Sequence, residues 1–376
     1  MIIAVNASFV NTHSGNNADF IFDYFSKLAQ QYPQHQFIYI VDKGFDEKYI
    51  TSKNITPVIA GQQTKSPLLL QYRLNYKIPA ILRKYKANVF VSTDGYCLLR
   101  TKVPQCVIVN DLSFLQQPQY FTATWLKFYK NNTAKYLAKA ETIITTSQFL
   151  KQEIITHYKI ESKKIEVAYQ CAGKYFKPVI WLQKDVAKEH YTDGKEYFLY
   201  SGVIDSNNNL ITLLKAFSFF KKRQKSNMQL VLASKTTVTD KVFIKDLASF
   251  KYRAEVKLCE NLQPETLAQI TASAYAMVYP LLYQGNGISL IEAMQADVPV
   301  ITADNTAIPE ICGDAALYTN PNDFNDIADK MMLLFKDEDK RNQHIIKGRQ
   351  QAGLYNADKT AAAIWQAIIK CVDSLN

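Results

Sequence analysis

Two successions of short apolar runs, separated by helix-length amphipathic stretches, constrain the fold of this 376-residue chain more than any other feature. In the first half the runs are IIAVN (2–6), FIYIV (37–41), VFVS (89–92), CVIVN (106–110), TIITT (142–146) and IEVAY (165–169). Each is rich in β-branched or aromatic residues and too short for a helix, so each reads as a buried strand. The second half repeats the plan with YFLYS (197–201), QLVLAS (229–234), AEVKL (254–258), AYAMVY (274–279) and VPVIT (298–302). Between strands lie helical patterns. One, over residues 17–30, sets Phe20, Ile21, Tyr24, Phe25 and Leu28 at helical spacing and predicts a core-facing stripe. Strand–helix–strand alternation implies parallel sheets covered by helices on both faces. The expected fold is therefore α/β, with two doubly wound, Rossmann-like domains. Residues 171–195, charged and containing Pro178, read as the linker, and residues 356–372 as one amphipathic helix with no strand after it.

Doubly wound sheets bind ligands beyond the carboxyl ends of their strands, and two such domains predict a site in a cleft between them. The loops to search are 6–15, 92–95, 110–115 and Ser147 in the first half, with 202–209, 234–235, 260–262 and 283–289 in the second.

Residues 1–175 hold 21 Lys+Arg and 11 Asp+Glu, a balance of +10, while the rest of the chain holds 23 of each. All the net charge thus lies in the first half, which predicts either a basic face for an anionic partner, such as a membrane surface or acidic glycan, or a solvated lysine-rich surface. Nucleic acid is not expected, because no nucleic-acid-binding motif accompanies the charge. The start, MIIAVNASFV, lacks the pattern of a secretory signal. The longest apolar stretch, near 274–283, is interrupted by Pro280 and falls short of the roughly 18 residues of a spanning helix. Six cysteines without a CxxC pair read as reduced, buried thiols, and five scattered histidines give no metal-ligand spacing.

The strongest candidate for chemistry is YQGNGISLIEAM (283–294). Gly285 and Gly287 let the backbone turn sharply and approach a ligand. The amides of Gly287, Ile288 and Ser289 would open a helix, whose N-terminus favours a phosphate. Glu292, about a turn and a half inside, could accept two hydroxyl hydrogen bonds, as a ribose requires; the alternative is a glycine-containing turn with a surface glutamate. Gly15, in NTHSGNNADF, offers a weaker version of the same idea. Asn110 and Asp111 end a strand, where they either contact a substrate or, as favoured for Asp111, cap the next turn. Ser147 reads as a helix N-cap. Asn207, Asn208 and Asn209 open a helix after Gly202 with no cation beside them, and Lys235 is the nearest basic residue that could face a diphosphate.

Taken together these loops resemble the family 4 glycosyltransferases, retaining enzymes of the two-domain GT-B architecture. VIVNDLSFLQQPQYF resembles the segment in which a His-Asp pair opens a "DLSFL…P" stretch, and AKAETIITTSQFLKQEI its following helix start. SGVIDSNNNLITLLKAF is similar to a glycine turn followed by "NL..LL.AF", and residues 260–323 to the donor-binding region. The resemblance implies an acceptor-side domain over 1–175, a nucleotide-sugar domain over 176–355, and a C-terminal helix over 356–376 that packs on the first domain. It further implies a hexosyltransferase that moves sugar from a nucleotide diphosphate sugar to a glycan or lipid-linked acceptor of the cell envelope, with retention, without a metal or other cofactor. The place would be cytoplasmic, including a peripheral position on the inner face of the membrane.

Site residues carry over unevenly. The family's Glu-x7-Glu becomes Gln284-x7-Glu292: the ribose-binding glutamate is kept, and the one near the reacting centre is replaced. Asn110 stands for the histidine of the His-Asp pair. The cations that hold the diphosphate should fall among Val203, Asn207 and Asn208, where none is found, while Lys235 is retained; Ser14-Gly15 keeps half of a glycine pair. Expected catalytic positions are Gln284, Asn110 and Asp111. Expected donor-binding positions are Gly15, Gly202, Lys235, Gly285, Asn286, Gly287, Ile288, Ser289 and Glu292. A rival expectation, from the same departures, is a degenerate glycosyltransferase that binds a glycan or a partner enzyme without catalysis. A phosphorylase is disfavoured, since no cation cluster for free phosphate is evident.

Overall fold

The computed structural model describes residues 1–8, 16–62, 64 and 66–373, for residues 16–21 in backbone only. It divides into two units, Met1–Gln170 with Ala357–Asn376, and Cys171–Asn356. The first is built on seven strands, β1 (Ile2–Asn6), β2 (Gln36–Asp42), β3 (Ile55–Gly61), β4 (Val89–Ser92), β5 (Gln105–Val109), β6 (Thr142–Thr145) and β7 (Ile165–Val167), in the order β3-β2-β1-β4-β5-β6-β7. The second is built on β8 (Tyr197–Ser201), β9 (Gln229–Ala233), β10 (Val256–Cys259), β11 (Ala276–Tyr279), β12 (Val300–Ala303) and β13 (Leu317–Thr319), in the order β10-β9-β8-β11-β12-β13. Every pairing in both sheets is parallel.

Central strands explain why the apolar runs were so continuous. β4, β5, β6, β8, β9, β11 and β12 are buried at every position, because helices cover both faces. Each sheet reverses its winding direction at one seam: β1 beside β4 in the first unit, with Asn6 opposite Ser92, and β8 beside β11 in the second. These seams are the places where a doubly wound sheet opens toward a ligand. Two Rossmann-like α/β domains are thus present, as the strand rhythm implied.

Two edge strands lie outside the expected runs. β3 lies at the sheet edge, is half exposed, and contains Pro57, a residue that an edge strand tolerates because one of its sides needs no donor. β13 is an edge strand of three residues. The stretch read as a linker also differs: Trp181–Thr192 within it is a helix, with Ile180, Trp181 and Leu182 exposed at its start. In the N-terminal helix Asn16–Gln31, Tyr24, Phe25 and Leu28 are buried as the spacing required, while the side chains of Phe20 and Ile21 lie outside the described residues.

The helix Ala357–Asp373 belongs to the first unit although the whole second unit precedes it in sequence. Its Ala361, Ile364, Ala367, Ile368 and Cys371 are fully buried. Trp365 stacks on Tyr32 with ring centroids 3.8 Å apart, and Thr360 Oγ1 donates to Tyr169 O at 2.6 Å.

Candidate functional site

The second unit gathers most of the expected donor-binding residues at the β8/β11 seam. β11 runs into Pro280, and the chain then loops to Gly287, whose φ of +61° starts the helix Ile288–Gln295. Glycine is required there twice over. A side chain at that φ is strained, and a Cβ would lie 3.1 Å from Ile311 Cγ2. Asn286 organises the turn: its Oδ1 accepts from Gln284 Nε2 at 3.1 Å and from Ile288 N at 3.4 Å. Thr306 Oγ1, just past β12, accepts from Gln284 N at 3.2 Å, and Gln284 O accepts from Ala307 N at 3.2 Å. Gln284 is therefore fixed at both ends of its peptide unit and through its amide.

Glu292 is 4% exposed, which removes the reading of a surface glutamate. It lies near Tyr279, whose hydroxyl is pushed up to about 12 by burial, with the Glu292 charge acting in the same direction and a hydrogen bond to Ser289 opposing. A Cβ built on Gly173 would stand 4.0 Å from Glu292 Oε1. Gly285 and Gly287 are buried in the loop, and Ser289 is buried below it.

The loop after β8 departs most from what a diphosphate site needs. Gly202, partly exposed, packs so that a Cβ would meet the Tyr200 hydroxyl at 3.0 Å. Beyond it, Asp205 is the organising residue: its Oδ1 accepts from the Asn207 and Asn208 amides at 3.0 and 3.1 Å and from Asn208 Nδ2 at 2.7 Å. Ser206 donates from N and Oγ to Asp240 Oδ2 at 2.7 and 2.6 Å. Asn209, in the left-handed region at φ 56°, sends Nδ2 to Pro280 O and Pro321 O, both at 2.7 Å, and so ties this loop to the end of β11. Asn207 and Asn208 thus build the turn around an acid, and residues 202–209 include no Lys or Arg. Lys235 follows β9, partly exposed between Ser234 and Thr236, whose hydroxyls lie 3.0 Å apart. Sequence reasoning passed over Asp205, Thr306 and Asn305, whose Nδ2 donates to Leu282 O at 3.2 Å; the signal available was their position at strand ends, polar residues where the apolar runs stop.

In the first unit the β1/β4 seam carries a polar chain that no motif announced. Asn6 Nδ2 donates to Asp94 Oδ2 at 3.1 Å and Ser92 Oγ to Asp94 Oδ1 at 2.8 Å. Ser8 Oγ donates to Asn6 Oδ1 at 2.6 Å and accepts from Arg73 Nη2 at 2.5 Å; Arg73 Nη1 in turn pairs with Asp42 Oδ1 at 2.5 Å. Burial pushes the Asp94 carboxyl up to about 6, against the pull of these hydrogen bonds and of Arg73. Asn110 joins the same place: its Nδ2 donates to Thr93 O at 2.8 Å, and its buried Oδ1 has no hydrogen-bond partner among the described residues. Asp111 is exposed and accepts from Ser113 N and Oγ at 2.7 and 2.5 Å, the turn-capping role favoured from sequence. Ser147 caps its helix by accepting from Leu150 N at 3.2 Å. Gly15 lies outside the described residues. The expected residues therefore form two groups, one in each unit.

Residues 183–351 match the model of the family described as Glycosyl transferases group 1. The chain is 25% identical over 293 residues to the O-antigen chain mannosyltransferase B of Escherichia coli, covering 77% of this chain and 76% of that protein. These matches support a glycosyltransferase. Its fold is shared with WaaG, a glycosyltransferase involved in lipopolysaccharide biosynthesis (TM-score 0.77, 12% identity, 98% of this chain and 99% of that one). It is shared equally with Anabaena Alr3699/HepE, solved in complex with UDP and glucose (TM-score 0.76, 13% identity, 97% and 98%). The family match covers nearly all of the second unit, including every residue of the 283–292 loop. Among the described residues, no helix is long and apolar enough to cross a membrane, and no cluster of His, Cys, Asp or Glu is placed to hold a metal ion.

Proposed function

We propose that the chain transfers a hexose from a nucleotide diphosphate sugar to a hydroxyl of a glycan or lipid-linked acceptor in envelope polysaccharide assembly, with retention at the anomeric carbon. The observation that carries this reading is the buried Glu292 on a helix that opens at a left-handed glycine, inside the segment that matches the glycosyltransferase model. The mannosyltransferase relative and the fold it shares with a UDP- and glucose-bound protein support the substrate classes. In this scheme Glu292 accepts hydrogen bonds from the donor ribose, and Gln284 from the sugar hydroxyls. The amides of Gly287 and Ile288, with Lys235 and the Gly202 turn, face the diphosphate. The bond from the anomeric carbon to the diphosphate oxygen breaks, the bond to the acceptor oxygen forms on the same face, and the acceptor proton passes to the departing phosphate. No metal or cofactor takes part, as the family resemblance implies. Incubation with a panel of nucleotide sugars and a mannan-type acceptor tests the proposal; absence of both transfer and donor hydrolysis with every donor would count against it.

We further propose that the first unit rests on an anionic bilayer. On the helical stretch 67–85, which contains a π turn at Arg73–Lys77, Leu68, Leu69 and Tyr72 are more than half exposed. Arg100 covers the Tyr76 ring nearby, and all the chain's net positive charge lies in this half. Apolar side chains flanked by cations suit an acidic lipid interface.

A second reading is favoured by one specific observation, the acid-organised loop at Asp205 where cations were expected. It makes the chain a glycan or partner-enzyme binder that has lost catalysis. Thermal unfolding with UDP, GDP and their sugars separates the two, since binding to the folded state raises the midpoint. A clear rise supports the enzyme, and none supports the binder.

A further inference from the structure

We propose that Asp94 is the residue of the first unit that holds a hydroxyl of a neutral acceptor sugar, a role that rests on the glycosyltransferase reading above. Its place is the first argument. Asp94 sits two residues beyond β4, at the seam where the sheet reverses direction and where ligands enter doubly wound folds.

The second argument is a count of its bonds. A carboxylate offers about four acceptor directions. Ser92 Oγ takes one on Oδ1, Asn6 Nδ2 takes one on Oδ2, and the Tyr96 backbone N–H takes a third. Among the described residues one direction is left, on a side chain that is only partly buried. Three donors fix the carboxylate in place before any ligand arrives, so a hydroxyl meeting it loses little freedom beyond its own.

The third argument is space. Gly95, at φ +80°, has no heavy atom of the described residues within 4 Å of where a Cβ would stand, its chain neighbours aside, so the backbone beside Asp94 faces open room among them. The surroundings are those of a sugar subsite. Asn110 Oδ1 adds a second acceptor, bound through its amide to the same loop at Thr93, and Tyr129 adds a partly exposed ring whose hydroxyl lies 3.4 Å from that of Tyr96. Acceptors without cations recognise hydroxyl donors; Arg73, the cation whose charge acts on Asp94, is buried and engaged with Ser8 and Asp42. An anionic acceptor group would be repelled by Asp94 and Asp111.

The buried chain Asn6–Ser8–Arg73–Asp42 then has a use: it holds the Asn6 amide so that its Nδ2 faces Asp94. Asp94 is not required to move a proton. It orients the acceptor hydroxyl, and the proton leaves with the diphosphate.

The test uses the full chain with Asp94→Asn and Asp94→Ala. In transfer assays the acceptor KM rises about 10–100-fold, the worth of one hydrogen bond to a charged group, while donor KM and donor hydrolysis stay within twofold. A wild-type protein that transfers, with Asp94→Ala unchanged in acceptor KM, overturns the assignment and leaves the glycosyltransferase reading standing. Binding gives a readout that needs no turnover. Saturation-transfer NMR with α-mannobiose should show contact in the wild type and its loss in Asp94→Ala. Contact that survives in Asp94→Ala, or no contact in the wild type, refutes the role whether or not transfer is seen.

Discussion

Replacing Asp94 by Asn should make the first unit more stable at neutral pH, the opposite of what losing a three-bonded side chain suggests. The wild-type carboxyl is held at about 6 in the folded state, against an ordinary value of 3.8, because burial penalises its charge more than its donors repay. The folded protein therefore binds this proton more tightly than the unfolded chain, so the contribution to stability is greatest below pH 4 and falls as pH rises toward 6. That interval is worth about 3 kcal/mol at pH 7. Asn escapes this cost but presents an amide where Asn6 Nδ2 now donates, losing about 1 kcal/mol for one hydrogen bond. The variant should be more stable by about 2 kcal/mol at pH 7, or about 4–8 °C for a unit of this size, and less stable by about 1 kcal/mol at pH 3.5. Trp125 and Trp365 lie in the first unit and Trp181 in the second, so fluorescence-detected unfolding in a Trp181→Phe background follows the relevant unit alone. Asp42, raised by burial against Arg73, titrates in both proteins and cancels in the difference. A variant that is destabilised at pH 7, or a difference independent of pH, would falsify the account of a strained, ligand-ready carboxylate.

Gln284→Glu places a second acceptor against Asn286 Oδ1, so it should cost about 1 kcal/mol of stability. Transfer should stay within a few-fold of the parent, because the Asp205 loop offers the diphosphate no cation; a tenfold gain in rate would show that only the carboxylate was missing. Gly287→Ala combines a left-handed φ with the Ile311 contact and should cost about 2 kcal/mol; calorimetry that finds no change would mean the helix start can shift freely. The triple variant Leu68→Ser, Leu69→Ser and Tyr72→Ser should abolish co-sedimentation with phosphatidylglycerol vesicles and leave phosphatidylcholine unbound in both proteins. Loss that instead follows Trp181→Ser and Leu182→Ser, with the triple variant still bound, would move the docking face to the second unit.

Fold class was legible because parallel strands buried on both faces must be written as unbroken apolar runs. β1, β4 and β8 have the bounds that their runs predicted. β3 escaped because edge strands answer to weaker rules: Pro57 and a half-exposed pattern erase the signal. The donor loop was legible through Gly285, Gly287 and Glu292, since glycine and a lone acid at fixed spacing leave a trace. Asp94 left none. Its meaning comes from Asn6, 88 residues away, and from Arg73, which reaches Ser8 over 65. Ser92–Gly95 was among the loops to search, but only pairing of β1 with β4 turns an ordinary SSDG-like turn sequence, Ser92-Thr93-Asp94-Gly95, into a held carboxylate.

The helix Ala357–Asp373 has a consequence for how the chain comes to be folded. Its buried face completes the core over β4, β5 and β6, yet it is synthesised only after the whole of the second unit. While the protein is being made, the second unit has all its parts first, and the older first unit waits with an open apolar face for a segment nearly 190 residues downstream of its last strand. The basic half of the chain is thus the last to close, and its exposure during synthesis is set by the time a ribosome takes to cross the other domain.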